Sequence, residues 1–147
     1  NNGRIAPNRF LRRYEPMPGL FRRWLGDRGE RAAERHLAAQ GLRILKRGLR
    51  SRRGELDLVA LDGRQVVFVE VKTRFDHAAG HPVEAVGIEK QRKLTDLALA
   101  FLKKHKLLGY SARFDIVAIT WPEGQEEPTI QHYRNAFDAS GRFQLFA

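Results

Sequence analysis

An α/β chain with a mixed β-sheet flanked by helices is the fold class this sequence predicts, and three observations carry the prediction. Two stretches repeat their apolar residues at helical spacing, and five others alternate or are rich in β-branched residues. They interleave in the order α-β-β-β-α-β-β. A length of 147 residues and a 42% hydrophobic share fit one domain with one continuous core.

Residues 1–23 read as a basic arm, interrupted by Pro7, Pro16, Pro18 and Gly19 and charged by Arg4, Arg9, Arg12 and Arg13, so the domain proper spans 24–147. Helix formers occupy 27–40, where Asp27 can cap the start, Glu30 completes a capping box and Gly41 stops the helix. Glu30, Ala33, Leu37 and Gln40 share one face, which puts a carboxylate on the apolar stripe. Residues 42–47 alternate as a short strand, 48–54 form a basic loop holding Arg50, Arg52 and Arg53, and 55–61 alternate again. An Asp62-Gly63 turn leads into the β-branched and aromatic strand 66–73. A loop at 74–82 follows, and then the longest helix, 88–106. Its Leu94, Leu97, Ala98, Phe101 and Leu102 form the core stripe and its lysines the other face. A strand at 113–120, an acidic turn at 122–128 and an edge strand at 129–134 complete the sheet. Phe143, Leu145 and Phe146 near the end cap the core or pack on a second copy.

Lys and Arg number 27 against 17 Asp and Glu, and the excess of +10 is unevenly spread. Residues 1–53 hold 14 Arg and one Lys against four acids, whereas the rest is nearly neutral. Arginine's planar fork suits phosphate, so a polyanion, nucleic acid above all, is the expected partner. Zero cysteines exclude a disulfide scaffold, a thiol nucleophile and thiolate metal sites, and fit a cytoplasmic location. No apolar run approaches a membrane span, and the N-terminus lacks the apolar stretch of a signal peptide.

In strand 66–73, parity sets Val66, Phe68, Glu70 and Lys72 on one face and Val67, Val69, Val71 and Thr73 on the other. A two-residue turn at Asp62-Gly63 places Asp57 diagonal to Glu70. A four-residue loop at 62–65 places it directly opposite. In either register two carboxylates and a lysine meet on one face of an apolar hairpin. Carboxylates so close repel unless a cation lies between them, and hard oxygen donors suit Mg²⁺ or Mn²⁺. Lys72 is then placed to orient or deprotonate a water, or to neutralise charge on a phosphate. Glu55 is read as a salt-bridge partner of Arg52 or Arg53, and Asp115 as the ion-pair partner of Arg113 on its strand. His77 and His81 lack a third ligand and are not read as a metal site.

Asp57 followed by Glu70-Val71-Lys72 resembles the D…(D/E)-x-K signature of the PD-(D/E)xK nuclease superfamily. The likeness extends to Gly29-Glu30-Arg31-Ala32-Ala33, Arg53-Gly54-Glu55-Leu56-Asp57-Leu58-Val59, Val67-Phe68-Val69-Glu70-Val71-Lys72-Thr73-Arg74 and Arg113-Phe114-Asp115-Ile116-Val117. These four blocks resemble the YraN family of small bacterial endonuclease-like proteins, akin to archaeal Holliday junction resolvases, and cover about residues 24–135. Leu56 stands where the superfamily has the proline of its name.

The resemblance implies a restriction-endonuclease-like core in which Asp57, Glu70 and the Val71 carbonyl hold Mg²⁺ or Mn²⁺. It makes Lys72 the catalytic lysine and has Glu30 complete the site. Arg50, Arg52, Arg53, Arg74 and Lys90 are the expected DNA contacts. The expected activity is metal-dependent endonuclease cleavage of DNA, branched or junction DNA included, and the two-fold symmetry of a junction favours a homodimer. The alternative is a non-catalytic nucleic-acid- or protein-binding module that keeps the nuclease fold.

Overall fold

Residues 18–74, 86–121 and 127–139 of a computed structural model are described here, the side chains of 18–25 excepted. Residues 1–17 of the expected arm, His77 and His81 in the loop, the acidic turn at 122–126, and Phe143, Leu145 and Phe146 lie outside them. The elements are α1 (Pro18–Ala39), β1 (Arg43–Ser51), β2 (Gly54–Asp62), β3 (Gln65–Arg74), α2 (Ile88–Lys104), β4 (Ala112–Thr120) and β5 (Thr129–Phe137). The strands form one sheet in the order β1-β2-β3-β4-β5, antiparallel except for β3 and β4. The α2 crossover supplies the long connection that a parallel pair requires.

One helix covers each face. Leu94, Leu97, Ala98, Phe101 and Leu102 of α2 pack with Val66, Phe68, Phe114 and Ile116. Ala32, Ala33 and Leu37 of α1 pack with Leu58, Ala60, Val67, Val69, Val117 and Ile119. All nine residues of β4 are buried, as expected of a parallel strand covered on both sides. Among the described residues no helix is long and apolar enough to cross a membrane.

Several boundaries depart from the sequence expectation. Helix α1 starts at Pro18 rather than at Asp27, so Asp27 is an interior residue and the boundary expected at 23/24 falls inside a helix. Proline suits a first helical turn, and Gly26 inside the helix costs only about 1 kcal/mol, too little to stop it. The basic loop expected at 48–54 is mostly strand. Ser51 pairs with Gly54, so only Arg52 and Arg53 form the turn and Arg50 lies in β1. Asp62 pairs with Gln65 and Leu61 with Val66, which makes Gly63-Arg64 the turn rather than Asp62-Gly63. Gly63 takes φ 60°, a left-handed value suited to the first central position of a tight hairpin.

Leu56 packs in the layer beneath α2, yet Leu58, two residues on, packs in the layer beneath α1. Simple alternation would put both on one face. In β1, Leu49 likewise joins the α2 side while Arg47 reaches back to Glu34 of α1. Both strands therefore change face at the rung between the pairs Arg47–Leu58 and Leu49–Leu56, where Gly48 stands across from Asp57. Gly48 has φ 63°, a conformation that costs other residues about 1–2 kcal/mol. At the same place the β2–β3 ladder ends, its last pair being Leu58–Val69.

Candidate active site

The carboxylates meet where β2 leaves β3. No ladder pair follows Leu58–Val69, and Asp57 makes the connection with its side chain instead. Its Oδ2 accepts a 2.7 Å hydrogen bond from the Val71 N–H. Glu70, next along β3, is 6% exposed and faces α2. Its Oε1 takes Lys90 Nζ at 2.7 Å and Lys72 Nζ at 3.5 Å. Its Oε2 is buried without a hydrogen-bond partner. Glu30 reaches the site from α1, near enough to Asp57 for a proton held on Asp57 to bridge the two carboxyls. The approach of that helix depends on Gly29, because a Cβ there would stand 2.1 Å from Thr73 Oγ1 of β3. A side chain at 29 would thus force Thr73 into another rotamer or α1, with Glu30, away from the sheet.

The crowding of charge shows in the proton affinities. Burial, and after it the charge of Glu70, pushes the Asp57 carboxyl up to about 8, and the Val71 N–H only partly opposes this. Burial also raises Glu30, although its bond to Asp57 works against the rise. Lys72 is lowered, by burial first, against the pull of Glu70. Lys90 is raised. Burial opposes it, but the hydrogen bond and charge of Glu70 prevail. The two lysines on one oxygen are thus tuned in opposite directions.

The stability of the cation-free protein follows. Asp57 binds a proton far more tightly folded, near 8, than at its ordinary value of 3.8. Between those values the native state holds the extra proton, so stability declines as pH rises through the window. Each unit of pH costs at most roughly 1.4 kcal/mol. Asp57→Asn should remove the decline and unfold at higher urea than wild type at pH 8 in chelator. Parallel pH profiles for the two proteins would contradict this reading of the site.

Of the expected site residues, Glu30, Asp57, Glu70 and Lys72 are brought together, and Lys90 joins them. Arg50, Arg52 and Arg53 are exposed at the β1–β2 hairpin end. Glu55 pairs with Arg50 at 3.1 Å, not with Arg52 or Arg53 as expected, while Arg53 lies 3.7 Å from Asp96 of α2. Arg74 ends β3, where its carbonyl accepts the Trp121 N–H. Asp115 pairs with Arg113 as expected and also bonds His132, on the far side of the sheet from Glu70 and Lys72. Sequence reasoning missed the bond of Lys90 to Glu70, whose only trace was a lysine at the start of an amphipathic helix. It also missed Gly29, which local spacing could not reveal. Arg28 lies over the Trp121 ring at 5.6 Å, and with Arg31 and Arg35 it lines a shallow cleft on α1 that the charge count alone had not localised.

Residues 29–119 match the family described as uncharacterised protein family UPF0102. A UPF0102 protein of Rhodopirellula baltica is 46% identical over 120 residues, 80% of this chain and 72% of that protein. One from Trichlorobacter lovleyi is 46% identical over 124 residues, 84% of this chain and 97% of the relative. One from Geobacter sulfurreducens is 46% identical over 114 residues, 78% and 88% of the two chains. The matched span runs from the glycine that seats α1 through nearly all of β4 and so includes every carboxylate and lysine of the site. The chain belongs to the UPF0102 family, the YraN-like group that its motif blocks resemble.

Proposed function

We propose that this chain is a divalent-cation-dependent DNA endonuclease with a restriction-endonuclease-like core, related to the PD-(D/E)xK nucleases and to archaeal Holliday junction resolvases. The observation that carries the reading is the meeting of Asp57, Glu70 and Lys72 where the β2–β3 ladder ends, with Glu70 Oε2 buried and unpartnered. A buried carboxylate oxygen without a donor is costly unless something else completes it.

The donor set fits a hard cation such as Mg²⁺ or Mn²⁺. Asp57, Glu70 and the Val71 carbonyl would hold it. Among the described residues no three His, Cys, Asp or Glu side chains are grouped to hold a metal by themselves, so water and substrate oxygens would fill the remaining positions. Once bound, such a cation supplies neutralising charge for a phosphate and makes a coordinated water more acidic. The chain's own residues do the rest. Lys72 Nζ, lowered by burial, takes the proton of the attacking water, whose oxygen bonds phosphorus as the opposite P–O bond breaks. Glu30 adds a third carboxylate beside Asp57 from α1. The arginines of the hairpin end carry neighbouring phosphates, and on a two-fold symmetric junction a second copy would act on the second strand.

The direct test incubates the protein with linear, nicked, flapped and four-way-junction DNA in Mg²⁺, Mn²⁺ or chelator. Cleavage is expected only with a cation, while binding persists in chelator. Binding without cleavage under every condition would leave a non-catalytic binding module. Asp57→Asn and Glu70→Gln should each abolish divalent-cation binding in calorimetry with the fold intact, and unchanged affinity in both would remove the site. Replacing Arg50, Arg52 and Arg53 together by alanine should make the log–log salt dependence of DNA affinity shallower by about two to three units, at roughly 0.9 per phosphate contact. An unaltered slope would place the DNA elsewhere, the lysine face of α2 being the next surface to examine.

A further inference from the structure

The partners of Glu70 are unevenly divided between its two oxygens. Oε1 has two ammonium groups, Lys90 at 2.7 Å and Lys72 at 3.5 Å, while Oε2, also buried within a side chain 8% exposed, has no hydrogen-bond partner. The lysines also differ in their freedom. Lys72 extends from the middle of the sheet with 28% of its side chain exposed, whereas Lys90 leans in from the first turn of α2 with 39% exposed. The closer ammonium is therefore carried by the more exposed of the two side chains. A charge buried this deeply is costly unless it is paired.

We infer that Lys90 is the resident counter-ion of this site, holding Glu70 until a divalent cation takes its place and being expelled toward solvent when that happens. The inference rests on the proposed nuclease function. Its physical basis is competition. A Mg²⁺-sized ion sits about 2.0–2.1 Å from a carboxylate oxygen, and on Oε2 it would stand beside the ammonium that Lys90 holds on Oε1 of the same carboxylate, where the like charges repel strongly in so buried a place. Expelled, Lys90 stands beside the site as a free cation, available to a phosphate. The roles of site counter-ion and DNA contact then belong to two successive states of one side chain. Cation binding and the Lys90–Glu70 bond oppose each other, and by linkage each weakens the other by the same factor.

The test is calorimetric titration of DNA-free protein with Mn²⁺, which needs no catalytic turnover. Lys90→Met removes the competing charge and keeps the stem, so it should bind Mn²⁺ about 10-fold tighter or more, the scale of a lost charge-assisted hydrogen bond. Lys90→Arg keeps a cation in place and should stay within about threefold of wild type. Lys93→Met, one turn on and paired only loosely with Glu89 at 3.9 Å, controls for the general loss of positive charge and should also stay within about threefold. Lys90→Gln, a donor without charge, is carried in parallel in case Lys90→Met does not fold, as judged by circular dichroism, and should shift the same way. Wild-type binding with Lys90→Met and Lys90→Gln no tighter than Lys93→Met overturns this inference and leaves the nuclease reading standing. Uptake by the Lys90 variants but not by wild type supports it in its strongest form. No uptake by any of the proteins overturns both.

Discussion

Lys72→Ala is expected to lose cleavage by about 10² to 10⁴ while binding DNA within a few-fold of wild type, the loss typical of a positioned proton-transfer group. The expectation follows from the contrast between the two lysines on Glu70. Burial draws Lys72 down while Glu70 holds Lys90 up, so Lys72 is the better suited of the two to accept a proton from water. Lys72→Arg separates the possible roles. Arginine keeps the charge but does not deprotonate at working pH. Rescue by arginine would assign Lys72 to charge stabilisation, and no rescue would assign it to proton transfer. A Lys72→Ala protein that cleaves at the wild-type rate would reduce the lysine to an ion-pair partner of Glu70.

The largest effect on stability is expected on the other face of the sheet. Asp115 is fully buried and accepts from Arg113 Nε at 2.9 Å, Arg113 Nη2 at 3.1 Å, His132 Nε2 at 2.7 Å and the Asn135 N–H at 2.9 Å. Asp115→Ala strands those donors, and breaking a buried pair from one side costs about 3–5 kcal/mol. That is a large part of the roughly 5–15 kcal/mol that holds a domain together. Arg113 keeps Asp62 and Gln65, so the loss falls mainly on His132 and the turn of backbone at Asn135, which takes φ 50°. The urea midpoint should drop with an unchanged slope. A drop within about 0.5 kcal/mol, the range of ordinary surface substitutions, would show the network to be dispensable.

The pH dependence of this contribution has a definite sign. Burial alone would raise the Asp115 carboxyl, but His132, Arg113 and the Asn135 N–H outweigh it and hold it below its ordinary value of 3.8. The contribution is thus complete above pH 4 and is lost as pH falls through the lower, native value. Asp115→Asn should lose less stability than wild type on acidification below pH 4.

The helix-covered sheet was legible because its signals are local. The α2 stripe from Leu94 to Leu102 and the β-branched run of β3 each declare their element without outside help. Parity within β3 alone put Glu70 beside Lys72 and opposite Val71, as the two clusters show. The two registers left open for the hairpin could not be separated from sequence. The pairing that sets Asp57 level with Glu70 prevails because Asp62 pairs with Gln65 and the turn falls on Gly63-Arg64. Other features were hidden because they depend on residues distant in sequence. The change of face at Asp57 needs Gly48 on the neighbouring strand, and the seat of Glu30 needs Gly29 against Thr73. Lys90 could not be assigned to Glu70 until the crossover had been traced, since 20 residues separate them. The early start of α1 was missed because an aspartate with a glutamate three residues later imitates a cap wherever it occurs.

The unpartnered Glu70 oxygen and the proton retained on Asp57 bear on how this protein should be engineered. A library of variants ranked by melting temperature in the absence of divalent cations will favour an amide or an apolar residue at 57, because that change relieves the burial and repulsion that the Asp57 carboxylate suffers beside Glu70. The hardiest survivors of such a screen would be those that had discarded the proposed chemistry. Selection for robustness in this family should therefore be run with Mg²⁺ or Mn²⁺ present, or with positions 30, 57, 70, 72 and 90 held fixed.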